Sequence, residues 1–511
     1  MRYFLGLDNG GTVTKAALFS EDGREICVAS KSTAIMTPKP GFIERDMDEM
    51  YEANCDVIRE VLKRTQLPPE KIAGVGICGH GKGLYLWGKD DKPVRPGILS
   101  ADNRAYEYPL KWEQNGTAKR VFQLSCQSIM ACQPVSLLAW MADHEPELLE
   151  RIQWIFECKD YVRFRLTGEA RGELTDYSGA NLVNLHTQSY DRALLALFGL
   201  ETLYEALPPL CFSAEIAGKI TKEAAKQTGL RAGTPVIGGM FDINACALAV
   251  NVVDETNICM IAGTWSINEY LRASPVTDKN IMNSIFCLPE YYLVEESSPT
   301  SAGNSEWFLK SLLQEEESDA PEEGKSVYDA ANAWVEQVAP TEFCPVFLPF
   351  LMASNVHPNA KGAFVGISSY HTRAHLMCSV YEGVAFSHRY HLEKLLQTRS
   401  VPPQCIRLAG GVARSRVWTQ LFADVFQLPV ETVTANETGA LGCAIAAAAA
   451  VGAYASLKEA AANMCAIAPP VLPDPKKAAL YDRKYALYLK TIEGLDGVWT
   501  DIQAFIDQSA L

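Results

Sequence analysis

Within its first fifteen residues the chain sets down a carboxylate, two glycines, hydroxyls and an ammonium, as Asp8-Asn9-Gly10-Gly11-Thr12-Val13-Thr14-Lys15. A carboxylate ending a strand can orient hydrated Mg2+, the glycines let backbone approach a ligand, and the hydroxyl and ammonium groups can meet phosphate oxygens. A plain β-hairpin with a surface lysine would use the same residues, so this segment alone leaves both readings open. A second constellation, Gly238-Gly239-Met240-Phe241-Asp242, ends the strand expected over Thr234 to Ile237. Asp242 there is either a cleft-facing carboxylate or the N-cap of the helix that follows. Two further glycine turns complete the set: Gly263-Thr264, and Gly410-Gly411 with Ser415 followed later by Glu437 to Gly442. Glycines at these helix starts admit a flat nucleoside against backbone, or close helix packing.

These residues need elements to hold them. Tyr3 to Asp8, Thr14 to Phe19 and Glu25 to Ser30 are apolar runs separated by turn residues, which predicts three strands. From Met47 onward, Met50, Val57, Ile58, Val61 and Leu62 recur at helical spacing, and Lys71 to Cys78 reads as a strand, giving the order β-β-β-α-β. A similar pattern recurs around Asn257 to Leu271. Thr372 is placed to cap a helix carrying Leu376, Val380, Tyr381 and Val384, Cys405 to Ala409 reads as a strand, and a helix is expected from Arg414. The pattern predicts two α/β lobes facing a central cleft, residues 1–250 and 251–511.

Bulk properties narrow the class. A chain of 511 residues with 48% hydrophobic and 21% charged residues is expected to fold as two or three globular domains. Its formal net charge of -15 disfavours nucleic acid and anionic membrane surfaces as partners, so a phosphate site has to be built from backbone N–H groups, a metal and a few placed cations. Fifteen cysteines without a C-x-x-C pair read as reduced, buried thiols, and with no signal-peptide pattern the expected location is the cytoplasm. Gln314 to Gly324, rich in Glu, reads as a solvated insertion. His371 with His375, and His388 with His391, share helix-face spacing but show no third metal ligand.

Taken in order, Asp8 with Lys15, Gly238 to Asp242, Gly263-Thr264, Gly410-Gly411 and Glu437 to Gly442 resemble the landmarks of the FGGY carbohydrate kinases across essentially the whole chain. That resemblance implies two actin-like, ribonuclease-H-like lobes closing over a sugar and MgATP. It implies Asp242 as catalytic base and Asp8 as the magnesium and phosphate carboxylate, with Asp242 also beside the metal. Gly11, Thr12, Lys15, Gly263 and Thr264 match phosphate-loop positions, and Gly410, Gly411 and Ser415 match the adenosine end. Gly11 stands where the family usually has Thr, and Thr12 supplies a hydroxyl one position later.

Sugar recognition is expected in the first lobe. His80, Gly81 and Lys82 stand where xylulose kinases show an amide, Met and His, and Asp102 and Arg104 resemble the Asp-x-Arg substrate segment. Ser354-Asn355 replace the usual Glu-Arg pair after the Pro-Phe-Leu stretch, and with the Gly-Lys-Gly loop this is most similar to the L-xylulose kinase branch. The expected partners are ATP, Mg2+ and a ketose such as L-xylulose or a keto-sugar acid such as 3-keto-L-gulonate, with a homodimer a possible assembly. The alternatives are D-xylulose, L-ribulose or another polyol or aldonate as substrate, and an actin-like ATP-binding regulator without catalysis.

Overall fold

The computed structural model of the protein describes residues 1–277, 281–314 and 326–509; most of the Glu-rich stretch read as an insertion lies outside them. The chain forms two compact units. The first comprises Met1–Glu255, Leu271–Val294 and Thr434–Ala466, and the second Thr256–Tyr270, Glu295–Val433 and Ile467–Leu511.

In the first unit the sheet runs Ile216–Lys219, Pro235–Ile237, Ile72–Gly79, Tyr3–Asn9, Val13–Ser20, Glu25–Ser32, with Met240–Phe241 also paired to Ile72–Gly79. Tyr3–Asn9 is antiparallel to Val13–Ser20 and parallel to Ile72–Gly79, so three antiparallel strands feed a parallel set. The expected order of elements is observed, with the two-residue strand Glu44–Arg45 and the 3-10 turn Pro69–Lys71 added. Helix Met47–Thr65 forms because its signals agree: Asp46 caps it by accepting from the Glu49 N–H, acids fill its first turn, and Lys63 and Arg64 fill its last. Its Met50, Val57, Ile58 and Val61 are buried against Leu5, Leu7, Ala16 and Leu18.

The other face of this sheet is covered by Thr438–Ala450, a helix of small residues that also packs on helix Asp242–Ala249. The approach is close enough that a Cβ on Gly442 would be driven into the Ala245 carbonyl. Helix packing is therefore what this glycine serves. Residues between Leu84 and Leu207 add a second core around Trp112, Leu137, Leu138, Met141 and Tyr177.

In the second unit, Ile258–Ala262 pairs antiparallel with Ser266–Arg272 and parallel with Ile406–Ala409, which pairs with Val430–Thr432. Helix Arg373–Leu396 starts at Thr372 as expected, with His375 completing a reciprocal capping box. The helix expected from Arg414 begins instead at Arg416. Gly411–Arg414 form a 3-10 turn, and Ser415 takes the cap by accepting from the Trp418 N–H at 3.1 Å.

Candidate functional site

In the first unit the strand register gathers the chemistry at one edge. Asp8 lies opposite Lys15 in the antiparallel pair and beside Cys78 in the parallel pair, and Cys78 lies beside Met240, two residues before Asp242. Asp8, the His80 loop and Asp242 thus all sit at carboxyl ends of parallel strands, where open α/β sheets bind ligands.

Asp242 is the first residue of its helix. The N-cap position belongs to Phe241, which makes no side-chain cap, so the cap reading of Asp242 is corrected by one position. Burial pushes the Asp242 carboxyl well above the usual range; Asp8 and then Asp176 add repulsion, while the Ile243 N–H and Lys82 oppose it. Asp8 is likewise pushed up by burial and eased by Lys15. A buried carboxylate whose proton affinity is raised by a second one fits a site that receives a cation. A Cβ on Gly439 would lie 2.7 Å from the Asp8 carboxylate, so the bare helix start makes its room.

The Gly10-Gly11 turn is held from behind. Buried Arg45 donates to the carbonyls of Gly10 and Gly11, while the Thr33 N–H donates to the Thr12 carbonyl at 3.1 Å. Gly11 is left partly exposed and Thr12 exposed. Lys15 Nζ pairs with Glu437 at 2.7 Å, at the start of the covering helix.

The Gly81-Lys82-Gly83 loop departs from ordinary backbone. Lys82 has φ of 66° and Gly83 of 84°, both in the left-handed region. The Gly83 N–H donates to the Cys132 carbonyl at 2.7 Å. His80 is buried, its Nε2 lies 2.9 Å from the Tyr85 hydroxyl, and burial with Arg45 nearby pushes its pKa down to about 3. It is a neutral hydrogen-bonding group. Asp102 and Arg104 do come together, but mainly with each other: Asp102 accepts from the Ile43 N–H, the Arg104 N–H and the Arg104 guanidinium. Arg104 also pairs with Glu44 at 2.7 Å and lies over the Phe42 ring at 4.2 Å. Its Nη1 has no hydrogen-bond partner among the described residues.

Sequence reasoning missed a buried ionic cluster behind this loop. Lys159 Nζ lies 2.8 Å from Asp176, 2.9 Å from Asp160 and 3.4 Å from Glu173, and Arg163 lies 2.7 Å from Asp160. Burial with neighbouring carboxylates pushes Asp176 up to about 6 despite Lys159, and pushes Glu157 well above the carboxylate range. The only signal in the chain is an alternation of charge that normally marks a solvated helix face.

In the second unit, parallel pairing of Ile261 with Ala409 brings the Gly263-Thr264 and Gly410-Gly411 turns together. Gly410 has φ of 87°, and a Cβ there would be driven against the Ala262 carbonyl, so both conformation and space require glycine. Gly411 is open. The Ser415 hydroxyl, besides capping its helix, donates to Asn332 at 2.7 Å, which leaves its helix start rather than its side chain to face a ligand.

The four paired histidines are all engaged. His371 meets the Ser368 N–H, His375 the Thr372 cap, His388 two serines, and His391 Glu296. No cluster of metal-ligating side chains among the described residues includes them.

Residues 3–249 match the N-terminal domain, and residues 258–451 the C-terminal domain, of the FGGY family of carbohydrate kinases. The chain belongs to this family. It is an ATP-dependent sugar kinase with the two-domain α/β fold of that family. Its relatives include the L-xylulose/3-keto-L-gulonate kinase of Escherichia coli K12, 37% identical with 97% of this chain and 98% of the relative covered. A probable L-xylulose kinase of Pasteurella multocida is 36% identical, covering 96% of this chain and 98% of the relative. Among solved structures, a ligand-bound xylulose kinase from Lactobacillus acidophilus superposes with a TM-score of 0.87 at 23% identity, over 98% of this chain and all of that one. Nothing in these relationships supports the regulator without catalysis. Among the described residues no helix is long and apolar enough to cross a membrane.

Proposed function

We propose that this kinase transfers the γ-phosphate of MgATP to a hydroxyl of L-xylulose or of 3-keto-L-gulonate. The substrate assignment is supported by 37% identity to the E. coli kinase over nearly the whole chain. The observation that carries the mechanism is Asp242, a buried carboxylate at a strand end within electrostatic reach of both Asp8 and Lys82.

Asp242 accepts the proton of the attacking sugar hydroxyl. Burial raises its proton affinity above that of an ordinary carboxylate, which strengthens it as a base. Lys82 donates hydrogen bonds to sugar hydroxyls or pairs with the carboxylate of a sugar acid, and His80 and the free Nη1 of Arg104 add neutral and cationic donors. Asp102 acts by holding Arg104. Thr12, Lys15 and the Gly11 backbone meet phosphate oxygens, as do Gly263 and Thr264 in the second unit, where Gly410, Gly411 and the helix start at Ser415 carry the adenosine end. Asp8 and Asp242 would hold Mg2+, which neutralises charge on the polyphosphate when bound. The sugar and the base belong to the first lobe, residues 1–250, and the nucleotide mainly to the second, 251–511. The cytoplasm is the compartment that supplies both substrates, and a homodimer is compatible with every role assigned.

The test is phosphorylation of L-xylulose, 3-keto-L-gulonate, D-xylulose and L-ribulose with MgATP, run on the native enzyme and on Asp242→Asn. One of the first two should give the highest kcat/KM. The variant, whose amide oxygen still accepts from the Ile243 N–H, should keep its fold and lose about 10²–10⁴-fold in kcat. Equal use of both xylulose enantiomers overturns the substrate, and near-normal kcat in the variant overturns the base.

A further inference from the structure

Phe241, at the N-cap position of the Asp242 helix, is locked into the wall of the site. Its N–H donates to the Thr175 hydroxyl at 2.9 Å, and that hydroxyl donates to Glu173 at 2.7 Å. One edge of its ring lies against Gly81, so close that a Cβ there would sit 2.5 Å from a ring carbon, and the other edge lies 3.8 Å from the Cβ position of Gly179. The residue is 7% exposed. Lys82, next in the chain to Gly81, places its ammonium 5.8 Å from the ring centroid, within reach of the negative face of the quadrupole.

The backbone beneath Lys82 makes this more than a chance contact. A non-glycine residue at φ of 66° costs about 1–2 kcal/mol and persists when its surroundings impose it. Here they do, because Gly81 has no room to move toward the ring and Gly83 is tied to Cys132. Phe241 also precedes Asp242 directly, so one residue bears on both the proposed base and the proposed sugar-binding cation.

We propose that Phe241 is a positioning residue for sugar specificity, its ring face holding the Lys82 ammonium where the substrate's hydroxyl or carboxylate arrives. This rests on the reading of Lys82 as a sugar contact. Among the described residues no other ring lies beside that ammonium and no carboxylate forms an ion pair with it. The ring is thus a direct neighbour of the ammonium, while the charge of Asp242 acts on it through space.

Truncating Phe241 could unfold its surroundings, so the test keeps its shape and changes only its electrons. Phe241 is replaced by phenylalanines carrying one, two and three ring fluorines, which progressively drain the negative face at nearly constant volume. Sugar KM should climb along the series to about 5–30-fold, with KM for ATP within about twofold. The same series is then measured in Lys82→Ala, where sugar KM should start high and stay flat, as residues acting through one another are not additive. A flat series in the native background, with Lys82→Ala still raising sugar KM, overturns the role of Phe241 and leaves Lys82 as a sugar contact. If Lys82→Ala leaves sugar KM unchanged, the sugar contact itself fails, and the role of Phe241 with it.

Discussion

Acid should weaken the second unit through a single histidine. His388 is fully buried in helix Arg373–Leu396, with Nδ1 at 3.0 Å from the Ser266 hydroxyl and 3.1 Å from Asn268 Oδ1, and Nε2 at 2.8 Å from the Ser301 hydroxyl. Burial, with some repulsion from His391, pushes its pKa down to about 3. An unfolded histidine takes up its proton near pH 6.5, so the unfolded state binds more protons than the folded one between those values. The stability His388 contributes is complete above about pH 6.5 and is lost as pH falls toward 3. At pH 5 the gap of 1.5 pH units, at about 1.4 kcal/mol each, amounts to about 2 kcal/mol. His388→Gln retains a donor and an acceptor but cannot titrate. At pH 7.5 it should cost about 1–3 kcal/mol through the imperfect network. The difference between native protein and variant should then shrink by about 2 kcal/mol at pH 5. Hydrogen exchange of peptides from Arg373–Leu396, corrected for intrinsic rates, reads this unit alone. A difference that stays constant with pH would mean that His388 is charged in the fold or titrates normally, and would refute the reasoning. Ser266 and Asn268 lie on the strand leaving the Gly263-Thr264 turn, so the proposed nucleotide turn should loosen with it.

Lys15→Ala should lower kcat/KM for ATP by at least about tenfold while moving unfolding by under about 1 kcal/mol, since the pair with Glu437 is partly exposed; steady-state kinetics with a thermal melt separate the two effects. Gly442→Val should destabilise by about 3 kcal/mol or more, or prevent soluble expression, because the side chain enters the Ala245 carbonyl and displaces the Asp242 helix. Asp8 and Asp242 have raised folded pKa values, so the stability they allow is present at low pH and lost as pH rises through those values. Mg2+ should therefore raise the Tm more at pH 7.5 than at pH 5, and Asp8→Asn should abolish most of that difference; equal shifts at both pH values would place the metal elsewhere.

What could be read in the chain divides along a physical line. Tyr3–Asn9, Val13–Ser20 and helix Met47–Thr65 were legible because burial imposes a period on apolar residues and turns impose glycine, both of which are local. Thr372 announced its helix for the same reason, while the late start at Arg416 was hidden by a 3-10 turn that carries no period of its own. Lys159, Asp160, Glu173 and Asp176 could not be found, since a charge looks the same in the chain whether water or another charge solvates it. Asp102 and Arg104 were picked out by residue type, yet their pairing with each other decides which atoms remain for a ligand. Glycines 263 and 410 were named as separate turns, and only the parallel register of Ile261 with Ala409 makes them neighbours. Asp8 and Asp242 are joined in the same way, through Cys78. Local pattern thus discloses the ingredients of a site, and strand register decides which ingredients meet. Register in a parallel sheet depends on contacts between strands far apart in the chain, so a single sequence carries it only through the whole fold.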